Sequence, residues 1–464
     1  MRLAGKKKFE RFVKNERDRR ILLAALSAFG AKFGGVALQL FSIPLVIRTL
    51  GVQDFSIFAI ASSIIAFVMF SNLGISGYIV TAISAARIQV DGCQDIAGIM
   101  VTALCVTVVS GTLLLLGTYI YSISYGLENI FGGLFLYAPK TVTQVFYLIL
   151  IFGVLQSISI VFIAAQNAYQ ELYFSNIYGG CANLISALSI AAYYFIAEEA
   201  QVLGYLLALY LPMVLCQLIN ATHFLIRHPE ARPRLKLISR SLVAAALCSG
   251  GAFFVAQTAL PISIREFPKL ILATRGELAQ VTTYALLMTL WTMLSGIIAA
   301  FTQPLFGGIA DAWSNGEVAW VSKRIMISIG AYILIGVGLM LTGHFYGFKL
   351  TSIWVGVDAA ISNRTMVIFG LFLGLAGIFY ILTIASYAMN MKFQSMIINV
   401  VSSLCILLGV WVMEKTIVTP HILGIISGVL SCAGISLSVL MMQHYSRKSM
   451  HIQQRPKHLN LFTS

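Results

Sequence analysis

The chain has 464 residues, of which 59% are hydrophobic and only 10% are charged, and its mean hydropathy is +0.88. Soluble domains carry roughly 25% charged residues, so a soluble multidomain protein is excluded and a polytopic membrane protein is indicated. The formal net charge of +14 is concentrated at the chain ends and in certain loops, which favours contact with anionic lipid over nucleic acid.

Apolar segments follow one another along most of the chain. Residues 1–20 are basic, and we expect them to form a retained cytoplasmic tail, because no small-residue cleavage site accompanies the apolar run that follows. A hydrocarbon core about 30 Å thick needs roughly 20 apolar residues per helix. Twelve segments meet this requirement: 21–47, 55–83, 97–123, 143–167, 174–197, 202–226, 241–263, 278–305, 325–346, 365–388, 395–414 and 420–443. We therefore predict an all-α integral membrane protein with twelve transmembrane helices.

The distribution of lysine and arginine predicts the orientation. With the N-terminus inside, the inner segments hold 22 of these residues and the outer segments hold 8. This bias places both termini in the cytoplasm and requires an even number of spans. The longest basic inner loop, 227–240, is predicted to link two six-helix halves, 21–226 and 241–443, and residues 444–464 form a second cytoplasmic tail. The seven cysteines are scattered, so we expect buried thiols and no disulfide framework.

An internal repeat relates the two halves. Gly51 falls on Gly276 at a shift of 225 positions, and the inner turn AYQELYFSN (168–176) falls on AMNMKFQSM (388–396) at a shift of 220. Because each half has six spans, both halves enter the membrane with the same orientation, related by a pseudo-twofold axis along the membrane normal. We therefore predict a parallel repeat, with hinges at the helix 1–2 and 7–8 connections and at the 227–240 linker.

Lys32 is the only Asp, Glu, Lys or Arg in the interior of the predicted spans, since Glu414 is the last residue of its span. A charge inside the membrane is costly and usually faces a water-filled cavity, although a lysine can also snorkel to the membrane surface. Beside a cavity, its ammonium group would attract an anion such as phosphate. Uncharged polar residues also enter the spans. Interhelical hydrogen bonding explains any one of them, but as a set they suit a hydrated chamber that contacts sugar hydroxyls. The candidate lining residues, on the helices that carry the repeated hinge, are Gln39, Asn72, Gln257 and Gln303.

Basic residues also flank the spans. They predict an outer rim, formed either by solvated loop charges or by an exit for an anionic lipid: Arg48, Arg265, Lys269, Arg275 and Arg364. On the inner side, contact with phosphate headgroups is expected for four residues, although the positive-inside bias already explains them: Arg87, Arg232, Arg234 and Lys236. The interiors of the spans contain no carboxylate, since Glu414 lies at a span end, and this disfavours a proton-coupled or cation-coupled exporter. The sequence has no phosphate-binding loop and no hydrolase motif, so we expect a protein that is not an enzyme and uses no cofactor or metal.

Four stretches carry a family resemblance: IPLVIRTLGVQDFSIFAI (43–60), FSNLGISGYIVTAISAAR (70–87), AYQELYFSN after the fourth helix, and PLFGGIADAWSNGE (304–317). In them the chain resembles the polysaccharide (O-antigen) flippases of the Wzx type, within the multidrug/oligosaccharidyl-lipid/polysaccharide exporter superfamily. The resemblance implies a two-lobed, V-shaped helical bundle with a central cationic cavity that works by alternating access. It also implies a bacterial inner-membrane protein that moves undecaprenyl-diphosphate-linked oligosaccharide, an O-antigen or capsule repeat unit, from the cytoplasmic to the periplasmic leaflet.

The expected partners are the lipid-linked oligosaccharide, anionic membrane lipids and glycan polymerase machinery, and no nucleic acid is expected. The sequence leaves open whether glycan polymerisation outside or exchange of an unidentified ion drives the flow. Three alternatives remain open. A cation or drug exporter of the related multidrug branch would depend on Asp54 or Asp311 and not on Lys32. A membrane-embedded glycan polymerase or ligase is disfavoured because the outer loops have about 20 residues or fewer. A non-transporting scaffold is disfavoured by the polar residues within the spans.

Overall fold

A computed structural model describes residues 16–87, 92–413 and 418–453. Within these ranges the chain forms α-helices and short 3-10 turns and contains no strand. The first half contains α1 (Glu16–Val68), α2 (Ile75–Ala86), α3 (Gly92–Tyr125), α4 (Glu128–Phe131), α5 (Gly133–Tyr137), α6 (Pro139–Ala168), α7 (Leu172–Ile196) and α8 (Val202–Arg227). The second half contains α9 (Arg240–Arg265), α10 (Phe267–Thr274), α11 (Leu278–Ser314), α12 (Val318–Val355), α13 (Asn363–Ala388), α14 (Lys392–Val412) and α15 (Thr419–Gln453).

The long helix α1 contains two membrane spans that meet at a kink. At the kink, Gly51 has φ 76° and ψ 175°, a backbone conformation that is essentially restricted to glycine. The second span is interrupted by the 3-10 turn Met69–Asn72 and by Leu73 and Gly74, both with positive φ, before α2 completes it.

Membrane-spanning helices account for most of the described residues. By length and hydropathy, nine helices within the described ranges qualify as spans when α1 is counted once. The second span of α1 makes ten, and α9 and α11, with 26 and 37 residues, are also long enough to cross the membrane. The described ranges therefore hold twelve membrane spans. The predicted twelve-helix, all-α membrane fold is confirmed. The short outer helices α4, α5 and α10 were not predicted, because each is far too short to cross a bilayer.

Residues with positive φ recur at matched positions in the two halves. The pairs are Gly51 (φ 76°) with Gly276 (φ 79°), Gly126 (φ 77°) with Gly356 (φ 96°), and Gln170 (φ 59°) with Asn390 (φ 67°). The last pair ends α6 and α13 in the same way. The amides of Glu171 and Met391 each donate to the carbonyl five residues earlier, at 2.8 Å, which is the long hydrogen bond of a Schellman motif. The backbone therefore repeats where the sequence repeats.

The chain divides into two compact units. The first comprises Met1–Val255, Lys269–Ala285 and Trp354–Ala359, and the second comprises Ala256–Pro268, Leu286–Ile353 and Ala360–Ser464. Besides the first part of α9, two short segments from the second half of the sequence thus belong to the first unit, where long-range hydrogen bonds hold them. Trp354 Nε1 donates to the carbonyl of Leu40 (3.0 Å), and Thr282 Oγ1 donates to the carbonyl of Val52 (2.7 Å).

Each unit has a hydrophobic cluster at the predicted inner ends of its helices. In the first unit, α2, α3, α6 and α8 contribute buried side chains such as Ile83, Val161 and Phe224. In the second unit, α11, α12, α13 and α15 contribute residues such as Ile309 and Leu437. The first cluster also includes Ala231, which is fully buried, so the start of the 227–240 segment packs against the first unit.

Candidate functional site

The predicted central cation, Lys32, lies on the first limb of α1, and its side chain is half-buried. Among the described residues, none forms a hydrogen bond or an ion pair with its ammonium group. Gln39 is also half-buried and lies seven residues further along the same helix face. Close to Lys32, α1 packs tightly on α7, since a Cβ on Gly34 would lie 3.4 Å from the carbonyl oxygen of Gly180. Such small-residue contacts are typical of helix packing in membranes.

Asn72 lies in the 3-10 turn that interrupts the second span, and its side chain is only 5% exposed. Its Oδ1 is buried and has no hydrogen-bond partner among the described residues. Asn72 is therefore a buried residue of the first unit, and its lining role stays a prediction. The side chains of Gln257 and Gln303 lie outside the part of the chain that is described, so their lining role stays a prediction.

Three of the five predicted outer basic residues are accessible. Arg48 and Arg364 are exposed, and Arg275 is half-buried. Arg48 Nη2 donates to the carbonyl of Trp354 (3.4 Å), which ties the kink region of α1 to the end of α12. A role for these three residues in an outer rim stays a prediction.

The other two outer basic residues differ from the expected solvated side chains. Lys269 is only 4% exposed, and its Nζ donates to Ser62 Oγ at 3.2 Å inside the first unit. The physical reason is the short helix α10, which places Lys269 against the second limb of α1. Arg265 is half-buried, with Nε shielded from solvent, and it lines a cavity of the second unit. A solvated side chain is therefore wrong for Lys269, whereas the Arg265 side chain is 43% exposed and its place on an outer rim stays a prediction.

The predicted headgroup contacts on the inner side are exposed: Arg87, Arg232, Arg234 and Lys236. Arg87 has defined protein partners as well. Its Nη1 donates to the carbonyl of Ala168 (2.9 Å), and its guanidinium lies 4.5 Å from the centre of the Tyr169 ring. Arg232 Nε donates to the carbonyl of Leu225 (3.2 Å). Two of these four cations thus help to hold the inner loops of the first unit in place.

The sequence analysis missed a cluster of charged and aromatic side chains next to these cations. This inner cluster comprises Tyr169, Glu171, Arg227, His228 and Glu230. Glu171 is 4% exposed, and its carboxylate receives Arg227 Nη2 at 3.3 Å and His228 Nε2 at 2.9 Å. The other ring nitrogen of His228 lies 3.2 Å from Glu230 Oε1, to which the Tyr169 hydroxyl donates at 2.9 Å. Ring contact between Tyr169 and His228, at 4.1 Å, closes the cluster.

The electrostatics of the inner cluster follow from its hydrogen bonds. An ionised carboxylate only accepts, so a ring nitrogen of His228 bonds to its neighbouring carboxylate as a donor. Burial alone would raise the pKa of Glu230, but its backbone hydrogen bond, the Tyr169 hydroxyl and His228 outweigh this effect and lower that pKa. The cluster therefore fastens the first residues of the 227–240 segment to the inner end of the first unit.

Two sequence signals could have pointed to the inner cluster. Glu171 is an acidic residue at the beginning of an otherwise apolar helix, and His-Pro-Glu at 228–230 directly follows another. Either signal alone is typical of a solvated loop. Their pairing spans 57 positions of sequence, and periodicity carries no information about contacts at that distance.

A family model described as polysaccharide biosynthesis protein matches residues 24–311. A protein of Salmonella typhi named "Putative O-antigen transporter" is 21% identical over 373 residues, which cover 76% of this chain and 80% of that protein. Among solved structures, an inward-facing multidrug resistance MATE family transporter of the MOP superfamily is 12% identical, with a TM-score of 0.70 over 92% of this chain and 99% of its own. The Vibrio cholerae MATE transporter VcmN is 16% identical, with a TM-score of 0.60 over 92% of this chain and 97% of its own.

These similarities bear on the predicted fold and family resemblance. At such low identities, the solved structures show the fold alone, and that fold is the one predicted from the apolar segments. The family model adds a sequence relationship that covers more than half of the chain. Of the four stretches that carry the family resemblance, the matched range includes three completely. Together they confirm the predicted resemblance to the polysaccharide branch of the exporter superfamily.

Proposed function

The chain belongs to the polysaccharide biosynthesis protein family, and from this premise we propose that it is a flippase for a lipid-linked oligosaccharide. The proposed substrate is an undecaprenyl-diphosphate-linked repeat unit of an O-antigen or capsule. The protein would move the unit from the cytoplasmic to the periplasmic leaflet of the bacterial inner membrane by alternating access. Both termini would lie in the cytoplasm, as the bias of 22 inner to 8 outer basic residues favours.

The observation that carries this proposal is the lysine within the first span. Lys32 is half-buried, and no described residue neutralises it. A charge in this position is costly unless it meets water or a counterion. A diphosphate supplies such a counterion, and charge-assisted hydrogen bonds to it would be stronger than neutral ones. Gln39, on the same helix face, would add an amide group for the phosphate or the first sugar.

The energetic problem of the proposed reaction is the polar headgroup. Each unsatisfied polar group costs about 2–7 kcal/mol when it leaves water for an apolar medium, and an oligosaccharide carries many of them. A polar path through the bundle removes this barrier, while the polyprenyl chain stays in lipid. The predicted contributors to this path include Gln257 and Gln303, and the exposed Arg48, Arg364 and half-buried Arg275 would attract the diphosphate on the outer side.

A cation or drug exporter is the competing function, and it is favoured by the MATE transporters among the structural neighbours. In that case a carboxylate near a span end should titrate during transport. Asp54 is one candidate, because it accepts a hydrogen bond from the Tyr137 hydroxyl at 3.1 Å. Asp311, at the inner end of α11, is the other.

The test is a leaflet-resolved assay for lipid-linked repeat units in a host that lacks the protein. Accumulation on the cytoplasmic leaflet is expected, with rescue by the wild-type chain. Lys32→Met should reduce flipping about tenfold to a hundredfold, because a hydrogen bond to a charged group contributes roughly 1.5–3 kcal/mol and each 1.4 kcal/mol is about tenfold. Lys32→Arg should retain most of the activity.

The matched control is Lys140→Met, which removes the same charge from an exposed position at the outer start of α6. It should flip as well as the wild type. Accumulation on the periplasmic leaflet would indicate a polymerisation defect and contradict flipping. Full activity of Lys32→Met, combined with its loss in Asp54→Asn or Asp311→Asn, would favour the cation or drug exporter.

A further inference from the structure

The second unit contains two adjoining cavities of about 370 and 400 Å³. They share Pro261 from α9, Trp291 from α11, and Ala376 and Tyr380 from α13. Pro261 and Tyr380 are exposed, so the combined space has an opening. These volumes are in the range of small-molecule sites, which are typically about 300–1,000 Å³. Neither cavity includes Lys32 or Gln39, so the space is distinct from the face proposed to meet the diphosphate.

Aromatic rings form much of the wall. Trp291 and Tyr380 border both cavities, and Phe379 and Tyr387 border the first. The Trp291 ring is itself held in place, because it meets Phe372 edge to face with the ring centres 5.3 Å apart. Flat, fixed rings offer a large apolar contact area and specific geometry.

At one end of the space, a buried amide has one polar atom without a partner, although the same side chain forms a hydrogen bond with the Tyr387 side chain. Asn399 from α14 is only 7% exposed and lines the first cavity, and its Oδ1 has no hydrogen-bond partner in the described part of the chain. One turn further along α14, the Ser403 hydroxyl bonds to the Ser263 hydroxyl and donates to the carbonyl of Ala259 (3.1 Å). These bonds fix α14 against α9, so Asn399 is held at the cavity wall. A buried acceptor without a donor is costly, which indicates that something occupies the space.

At the other end, a guanidinium group contributes a donor. Arg265 lines the second cavity, and its Nε is buried without a hydrogen-bond partner among the described residues. Its Nη2 lies 3.7 Å from Glu266 Oε1, so the neighbouring carboxylate engages only one part of the group. The space thus combines an unused acceptor, an unused donor and aromatic walls.

This combination selects among occupants. An organic cation would meet a guanidinium and, among the described lining residues, no carboxylate. An aliphatic chain would leave both Asn399 Oδ1 and Arg265 Nε without partners. A pyranose ring satisfies all three features, because its hydroxyls both donate and accept while its C–H faces lie flat against aromatic rings.

We propose that the cavity of the second unit is a carbohydrate-binding subsite, in which sugar hydroxyls pair with Asn399 and Arg265 and a ring face packs on Trp291 and Tyr380. This inference rests on the proposed function and adds to it a site that determines specificity for the transported glycan. The diphosphate and the distal sugars would then contact different parts of the chain, with Lys32 responsible for the charge and the second unit for the sugar.

The test is saturation-transfer NMR on the purified full chain in detergent, with methyl glycosides of common hexoses and N-acetylhexosamines as probes. At least one glycoside should receive saturation from the wild-type protein. Asn399→Leu and Trp291→Leu should each weaken its apparent affinity about fivefold or more. Trp291→Phe should retain most of the binding, because it keeps a flat ring in the wall. Asn183→Leu, which makes the same change in α7 of the first unit, should bind like the wild type.

Melting curves identify any variant that fails to fold. If Asn399→Leu is such a variant, the difference in glycoside binding between Trp291→Phe and Trp291→Leu tests the proposal. If all variants bind the glycoside equally, the sugar binds elsewhere and the proposal is overturned. If the wild-type protein binds no glycoside, the cavity holds water or an apolar molecule, and the proposal is again overturned. The leaflet assay separates this outcome from failure of the flippase function. Cytoplasmic accumulation in the deletion host with no sugar binding here would refute the subsite alone, whereas sugar binding without such accumulation would refute flipping.

Discussion

The kink between the first two spans depends on one residue, and replacing it gives a sharp test of the fold. Gly51 has φ 76° and ψ 175°, and a Cβ built on it would meet no atom within 4 Å. Gly51→Ala therefore introduces no steric clash with a neighbour. Its whole cost is backbone strain, because residues with a Cβ are essentially absent from this region. We expect a destabilisation of about 1–3 kcal/mol, the typical cost of such strain.

Gly30 provides the matched control in the same helix. A Cβ at this position would also meet no atom within 4 Å, but the residue lies inside the regular first limb of α1. Gly30→Ala should therefore stabilise the protein by about 0.5–1 kcal/mol, the usual difference between the two residues in a helix interior. The two substitutions add the same methyl group to equally open surroundings, so any difference between them reports backbone conformation.

The measurement is thermal unfolding of the purified variants in detergent, followed by circular dichroism. Gly51→Ala should lower the midpoint, and Gly30→Ala should leave it unchanged or raise it. Equal midpoints for the two variants would refute the assignment of a glycine-specific kink. If the kink also acts as a hinge, Gly51→Ala should slow flipping in the leaflet assay by more than its loss of stability explains.

Three further predictions concern packing and charge. Glu171→Gln in the inner cluster should destabilise the protein by about 3 kcal/mol, the low end for a broken buried ion pair because its arginine partner is 43% exposed; an unchanged melting midpoint would contradict a structural role. The pKa of Glu230 is lowered in the folded state, so the stability that this carboxylate contributes should be present above its ordinary pKa of 4.5 and be lost as the pH falls below that value. Melting curves across this pH range should show the loss of stability. Both Glu230→Gln and His228→Gln should make that loss smaller. Gly370→Leu should destabilise by about 1–3 kcal/mol or more, because a Cβ there would lie 2.7 Å from a backbone nitrogen of α12. Gly338→Ala, in the same helix α12 with open space around it, should melt at or above the wild-type midpoint.

Hydropathy and the positions of glycines and turns in the sequence predicted most of the fold. Apolar length alone located the spans, because lipid leaves the backbone no alternative to internal hydrogen bonding. The repeat was visible in Gly51 and Gly276 and in the turns around Gln170 and Asn390, where the structure has positive φ on both members of each pair. Local sequence determines these features, so they could be recognised without any knowledge of tertiary contacts.

The candidate site was less predictable, since burial depends on partners far apart in the chain. Lys269 looked like an outer loop charge, but it is buried against Ser62, 207 positions away. Arg265 ends a span in the sequence and borders a cavity in the structure. Asn72 was expected to line a chamber, and the break in the second span buries its side chain within the first unit. A hydropathy profile shows how deep a residue lies, and it does not show which side of its helix meets another helix.

The anchoring of Ala231 has a geometric consequence for the segment that enters the second half of the sequence. Ala231 is fully buried and α9 begins at Arg240, so residues 232–239 are all that connect these two points. The nine residue steps from Ala231 to Arg240 reach at most about 32 Å when fully extended, and the turn at Leu235–Leu237 shortens this distance further. The start of α9 is thus confined to a sphere of that radius around Ala231. A wider excursion would require the alanine to leave its apolar surroundings first.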